Sequence, residues 1–229
     1  MWSGSFEWRS TRLAERIILA DLSEDDGGTF VDEMSDIELF ERQDALQAQA
    51  RAILADLDVF ALLRDVGVAT QVGSSALGLM VAHDIDITTL CPSLDPGPVF
   101  DVGRRLARHP RIRRLTFRKD TGRWNTHAVY PDGIYWLAEY VADLDVAWTL
   151  DLWFLVEGTT QFDLEHVKTM PGRLTPETRA AILRIKEAVY ADTSRPRGPS
   201  YAVYEAVLDH DIRTPEEYGR YRETRTNHV

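Results

Sequence analysis

The chain has 229 residues, 44% hydrophobic and 28% charged, with a formal net charge of −11 and a single cysteine. That is a globular composition, and a chain of this length buries a sizeable core without staples. Cys91 alone excludes an intramolecular disulfide and any multi-cysteine zinc site, and fits a reducing, cytoplasmic setting. No apolar run approaches the ~20 residues of a membrane span, and Met1 to Ser5, with no basic region before an apolar stretch, gives no expectation of a secretory signal.

Charge divides the chain into thirds. Residues 1–67 hold 15 acids and 6 bases, residues 68–157 hold 11 and 9, and residues 158–229 hold 11 of each. All nine bases of the middle third fall between Arg104 and Arg123. An acidic protein is a poor general nucleic-acid binder, because phosphate neutralisation drives that binding. One basic stripe suits either a triphosphate or a solvated helix and guarded edge strand.

The pattern predicts an N-terminal helical segment over 1–67. Leu13, Ile17, Ile18 and Leu22 have helical spacing. A longer helix opens at Ser35, with Glu38 completing a capping box, and runs through Leu39, Leu46, Ala50, Ile53 and Leu57. A further helix contains Phe60 to Leu63 and stops before Gly67.

The period then changes to two. Over 68–157 the expectation is a run of strands around one helix. Val68–Val72 is a short strand ending at Gly73, and Ile85, Ile87 and Leu90 alternate with polar residues in a second. Val99 to His109 reads as a helix. Strands follow at Arg113–Arg118, Asn125–Tyr130, Ile134–Tyr140 and Val146–Val156. Tyr130-Pro131-Asp132-Gly133 predicts a hairpin joining the middle two. Trp148 to Leu155 is the most apolar run and is expected to be a central strand.

Residues 158–229 return to helices. Thr175-Pro176-Glu177 starts one, Ser194–Pro199 is a linker, Ser200–Leu208 is helical, and Thr214-Pro215 opens the last.

The chemistry concentrates at Val72-Gly73-Ser74 and, nine residues on, Asp84-Ile85-Asp86-Ile87. A strand ending at Gly-Ser before a helix turns backbone N–H groups and the Ser74 and Ser75 hydroxyls toward one point, which suits phosphate. In the next strand the period of two puts Asp84 and Asp86 on one face. Two such carboxylates repel unless a hard cation bridges them. Read alone, each half is also compatible with a plain turn and a half-exposed strand.

Together these residues resemble the signature of the DNA polymerase beta-like nucleotidyltransferase superfamily: hydrophobic-Gly-Ser, nine residues, then Asp-hydrophobic-Asp-hydrophobic. The resemblance covers residues 68–90 well and the sheet to 157 more loosely. It implies an α/β mixed-sheet core flanked by N-terminal and C-terminal helices. It implies a third acid on a later strand, and Leu150-Asp151-Leu152 matches that place; Asp143 and Asp145 are the competitors. It further implies transfer of a nucleoside monophosphate from a nucleoside triphosphate such as ATP to a hydroxyl or amine, with pyrophosphate leaving. Asp84, Asp86 and Asp151 would be the catalytic metal ligands for Mg²⁺, with two ions expected. Gly73, Ser74 and Ser75 would bind the nucleotide.

A small-molecule or protein acceptor is expected over nucleic acid. A non-catalytic nucleotide-binding or interaction module and an RNA-end nucleotidyltransferase are the alternatives, and oligomeric state is left open. His83 points away from Asp84 and reads as a packing residue. Lys168, Arg184 and Lys186 are phosphate candidates that also suit solvated faces. Trp124, Tyr130, Tyr135 and Trp136 are base-stacking candidates that also suit the core. His109, His127, His166, His210 and His228 lack metal-ligand spacing. No Walker A, dinucleotide or nucleophile-elbow motif is present.

Overall fold

The computed structural model describes residues 34–126, 130–143, 146–194 and 197–226. The helix expected over 11–22 lies outside them. Helix α1 (Asp36–Asp56) begins as expected, with Ser35 and Glu38 capping each other reciprocally. Its buried residues Leu39, Leu46, Ala50, Ile53 and Leu54 form one stripe. Helix α2 (Val59–Leu63) follows a left-handed Asp58.

Among the described residues five strands form one sheet: β1 (Val68–Val72), β2 (Asp84–Cys91), β3 (Ile112–Asp120), β4 (Gly133–Asp143) and β5 (Val146–Val156). Their order is β1-β2-β5-β4-β3. Among the described residues the β2–β5 pair alone is parallel. The expected mixed-sheet α/β core is therefore present, with β5 central. Helix α3 (Gly73–Leu77) joins β1 to β2, and α4 (Pro96–Leu106) joins β2 to β3. Helix α4 starts three residues before its expected place. The Asp95 side chain caps it by accepting from the Gly97 N–H, and Pro96 fits the first turn.

The expected hairpin between 125–130 and 134–140 is not formed. Asn125 and Thr126 lie outside any strand, residues 127–129 lie outside the described ones, and β4 pairs with β3 instead. The Pro131-Asp132 signal closes a loop: the Asp132 carboxylate accepts from the Gly122 N–H at 2.9 Å and from Asn125 Nδ2 at 3.1 Å.

One face of the sheet carries Ile85, Ile87, Ile134, Trp136, Ala138, Tyr140, Trp148, Leu150, Leu152 and Phe154, packed with α1, α2 and α4. Burying each of the Ile, Leu and Phe side chains among them contributes roughly 1.5–3 kcal/mol. The C-terminal helices are α5 (Phe162–Thr169), α6 (Pro176–Ala191), α7 (Ser200–His210) and α8 (Pro215–Thr226). Helix α5 was not foreseen as a separate element. Helices α6, α7 and α8 form a second apolar cluster that takes in Leu77 and Leu79 from the α3–β2 connection. A third cluster joins α1 to α6 through Leu39, Val81 and Leu183. Among the described residues no helix is long and apolar enough to cross a membrane.

Candidate metal centre

The parallel register of β2 and β5 sets Asp86 beside Asp151 and Asp84 beside Thr149. Alternation then puts all three carboxylates on the face opposite the core. One oxygen from each of Asp84, Asp86 and Asp151 lies within 4.8 Å of the others. The three acids are partly buried. Ile85 and Ile87, pointing the other way, are 0% exposed and anchor the strand.

Neighbouring groups hold each acid. Thr149 Oγ1 donates to Asp84 Oδ1 at 2.7 Å. Tyr135 Oη donates to Asp151 Oδ1 at 2.5 Å. Asp86 is crowded by the turn before it. Gly73 has φ +64°, and a Cβ there would lie 2.3 Å from Asp86 Oδ2. Only glycine combines that left-handed backbone with so close an approach.

The charges are under-compensated. Burial raises the Asp86 carboxyl well above the usual range, and Asp84, Asp151 and Asp163 raise it further against Lys186. Burial raises Asp84 too, opposed by the Thr149 hydrogen bond and Lys186. Asp151 is pushed up to about 7 by burial and the Asp84 charge, opposed by Tyr135 and Arg118. Three repelling hard-oxygen donors on one rigid face fit Mg²⁺, whose charge would relieve them.

The Gly-Ser turn lies against this cluster. Ser75 is 0% exposed. Its hydroxyl donates to the Val72 carbonyl at 3.3 Å, and its own carbonyl accepts from Gln71 and Gln47. Ser75 thus ties the turn together. Ser74, one residue closer to Gly73, is only half-buried.

No protein-family model and no curated protein matches the chain. Among the solved structures similar to it are the following two. One is the Cid1 poly(U) polymerase with Mg and 3′-dATP bound, at 15% identity over 68% of this chain and 46% of that chain, with a TM-score of 0.43. The other is a cytoplasmic RNA terminal U-transferase, at 16% identity over 77% of this chain and 47% of that chain, with a TM-score of 0.45. The chain spans about half the length of both.

The remaining candidates are dispersed. Asp145 lies outside the described residues. Asp143 ends β4 rather than sharing a strand with Asp151, because the chain reverses between β4 and β5. His83 is exposed and turns toward Trp148, with ring centroids 4.8 Å apart. Lys168 pairs with Glu165 on α5, and Arg184 reaches Asp36 on α1. Trp136 is in the core, and exposed Trp124 lies under Arg123. Much of the basic stripe is paired: Arg104 with Asp101, Arg105 with Asp65, Arg113 and Arg114 with Glu139, and Arg118 with Asp120.

Thr149, and Tyr135 as an acid's partner, escaped the sequence reading. Thr149 was within reach, since it sits two residues before Asp151 on the same face. Tyr135 needed the β4–β5 register.

Lys186 is not on a solvated face. It is 2% exposed, and its Nζ donates to the Leu79 carbonyl at 2.6 Å. Burial pulls its ammonium down to about 8, while Asp84 and Asp86 resist.

Proposed function

We propose that the protein is a metal-dependent nucleotidyltransferase that moves a nucleoside monophosphate from a nucleoside triphosphate to an acceptor hydroxyl or amine. The observation that carries this reading is the convergence of Asp84, Asp86 and Asp151 within 4.8 Å, with the Gly73 turn packed against Asp86. Asp84 and Asp86 would hold Mg²⁺ on the triphosphate, and Asp151 would join them in holding an ion near the acceptor. Bound there, Mg²⁺ supplies positive charge against the phosphates and favours the deprotonated acceptor. Thr149 keeps Asp84 in place for this role. The Gly73-Ser74 turn offers backbone N–H groups and the Ser74 hydroxyl to the distal phosphates. The acceptor atom attacks the α-phosphorus as its bond to pyrophosphate breaks, and the acceptor proton leaves.

The acceptor is proposed to be a small molecule or a protein side chain. An RNA end would need a continuous basic track, and many of the bases from Arg104 to Arg123 are paired with acids.

The test mixes wild type, Asp84→Asn and Asp86→Asn with Mg²⁺ and labelled nucleoside triphosphates. Acceptor arms hold small alcohols and amines, protein, or RNA oligonucleotides. Wild type should release pyrophosphate. Both variants should fold yet lose at least about a hundred-fold in rate, since a lost ligand removes several kcal/mol of charge stabilisation. Nucleotide binding without turnover in every arm would identify a binding module. Undiminished turnover in both variants would remove the acids from the mechanism. Labelling confined to RNA would correct the acceptor.

A further inference from the structure

We infer that Tyr135, clamped by Arg118 and Trp153, is a positioning residue that sets the carboxylate of Asp151 for metal binding. This rests on the metal-dependent reading above.

The geometry runs across three adjacent strands. Tyr135 on β4 lies opposite Trp153 on β5 and opposite Arg118 on β3. Its ring is 4.7 Å from that of Trp153. The Arg118 guanidinium lies 4.6 Å from the Tyr135 ring centroid and 5.3 Å from that of Trp153. Arg118 is itself fixed, with Nε 2.7 Å from Asp120 Oδ2. Tyr135 is 7% exposed, so its ring has little room to turn. From that locked position its hydroxyl reaches diagonally to Asp151 Oδ1 at 2.5 Å.

A hydrogen bond from a phenol to a carboxylate is charge-assisted and directional. It arrests rotation of the carboxylate group, and no metal is needed for that. Asp151 would otherwise turn away from Asp84, because the two acids repel. Each acid of the trio is restrained differently: Asp84 by Thr149, Asp86 by the close approach of Gly73, and Asp151 by Tyr135. Asp151 therefore meets a cation already oriented, which is the role of hydrogen-bond partners behind metal ligands.

The test measures Mn²⁺ affinity by calorimetry on the full chain, with melting curves taken without metal. Tyr135→Phe keeps the ring and removes only the hydroxyl. It should weaken Mn²⁺ binding about ten- to a hundred-fold, and excess Mn²⁺ should restore turnover. In an Asp151→Asn background the same change should cost almost nothing further, because the group it orients is gone. Arg118→Met, which leaves the hydroxyl in place, should give a smaller, several-fold loss.

Unchanged affinity in both Tyr135→Phe and Arg118→Met, with Asp86→Asn impaired, would overturn the positioning role and leave the metal site standing. An equal loss from Tyr135→Phe with and without Asp151 would also overturn it, since the effect would then not pass through Asp151. Wild-type affinity in Asp86→Asn would instead remove the metal site and this role with it.

Discussion

Gly73 shows how much one residue can decide. Its φ of +64° is a left-handed backbone, and the space above its Cα is taken by Asp86 Oδ2. A methyl group there costs roughly 1–2 kcal/mol for the backbone and also forces the carboxylate aside. Gly73→Ala should lower the melting temperature by several degrees, at about 2–4 °C per kcal/mol for a chain near 200 residues. It should also weaken Mn²⁺ binding. Melting curves and calorimetric titration read the two effects separately. A variant that melts lower but binds Mn²⁺ as wild type does would show that the turn does not constrain Asp86. The pairing of Asp84 with Asp86 was legible residue by residue, because strand alternation is local. The burial of Lys186 was not. Along its own helix it looks like one more surface lysine, and only the packing of α6 against the α3–β2 connection closes over it.

At the scale of elements, local signals worked where the physics is local. Ser35 with Glu38 and Thr175 with Pro176 mark helix starts because the cap is satisfied within one turn. Strand partners are set by distant residues, so the hairpin misreading around Pro131 is understandable. A turn signal says that the chain bends, not which strand it returns to. Helix α4 gives a test of packing against propensity. A Cβ on Gly103 would lie 2.5 Å from Trp136 Cζ2. Trp136 has little room to yield: its Nε1 donates to the Val99 carbonyl at 2.9 Å, and Phe100 and Phe117 contact its ring. Alanine in place of glycine should favour an exposed helix by about 1 kcal/mol. Overpacking typically costs 1–3 kcal/mol, about the same or more. Gly103→Ala should therefore melt below wild type, and a rise in melting temperature would show that α4 has slack against the sheet.

For the whole molecule, folding and metal binding are linked. The three acids are brought together only by the assembled sheet, so the unfolded chain has no such site. A cation that binds the folded state alone stabilises it by about 2.7 kcal/mol at a hundred-fold excess over Kd. That corresponds to a rise of roughly 5–10 °C for a chain this size. Mg²⁺ should raise the melting temperature of wild type and raise that of Asp151→Asn much less. Without metal, Asp86→Asn should melt at or above wild type, because removing one charge relieves the repulsion that burial intensifies. Equal Mg²⁺ responses in wild type and Asp151→Asn would take Asp151 out of the ligand set.

The sequence by itself determined the features that depend on neighbours along the chain: the capped helices, the alternation placing Asp84 and Asp86 together, the glycine at the turn, and the apolar run of β5. It nominated Asp151 by the contrast of an acid within that run. Only the tertiary structure decided that β5 lies parallel to β2 in a register setting Asp151 beside Asp86, rather than one strand further away. Only it decided that Tyr135 restrains Asp151 and that Lys186 is buried next to the acids. Side-chain direction in a strand repeats every two residues, whereas strand order and register come from contacts among residues about 65 apart, such as Asp86 and Asp151, and a burial pattern shared by several strands does not say which two are neighbours.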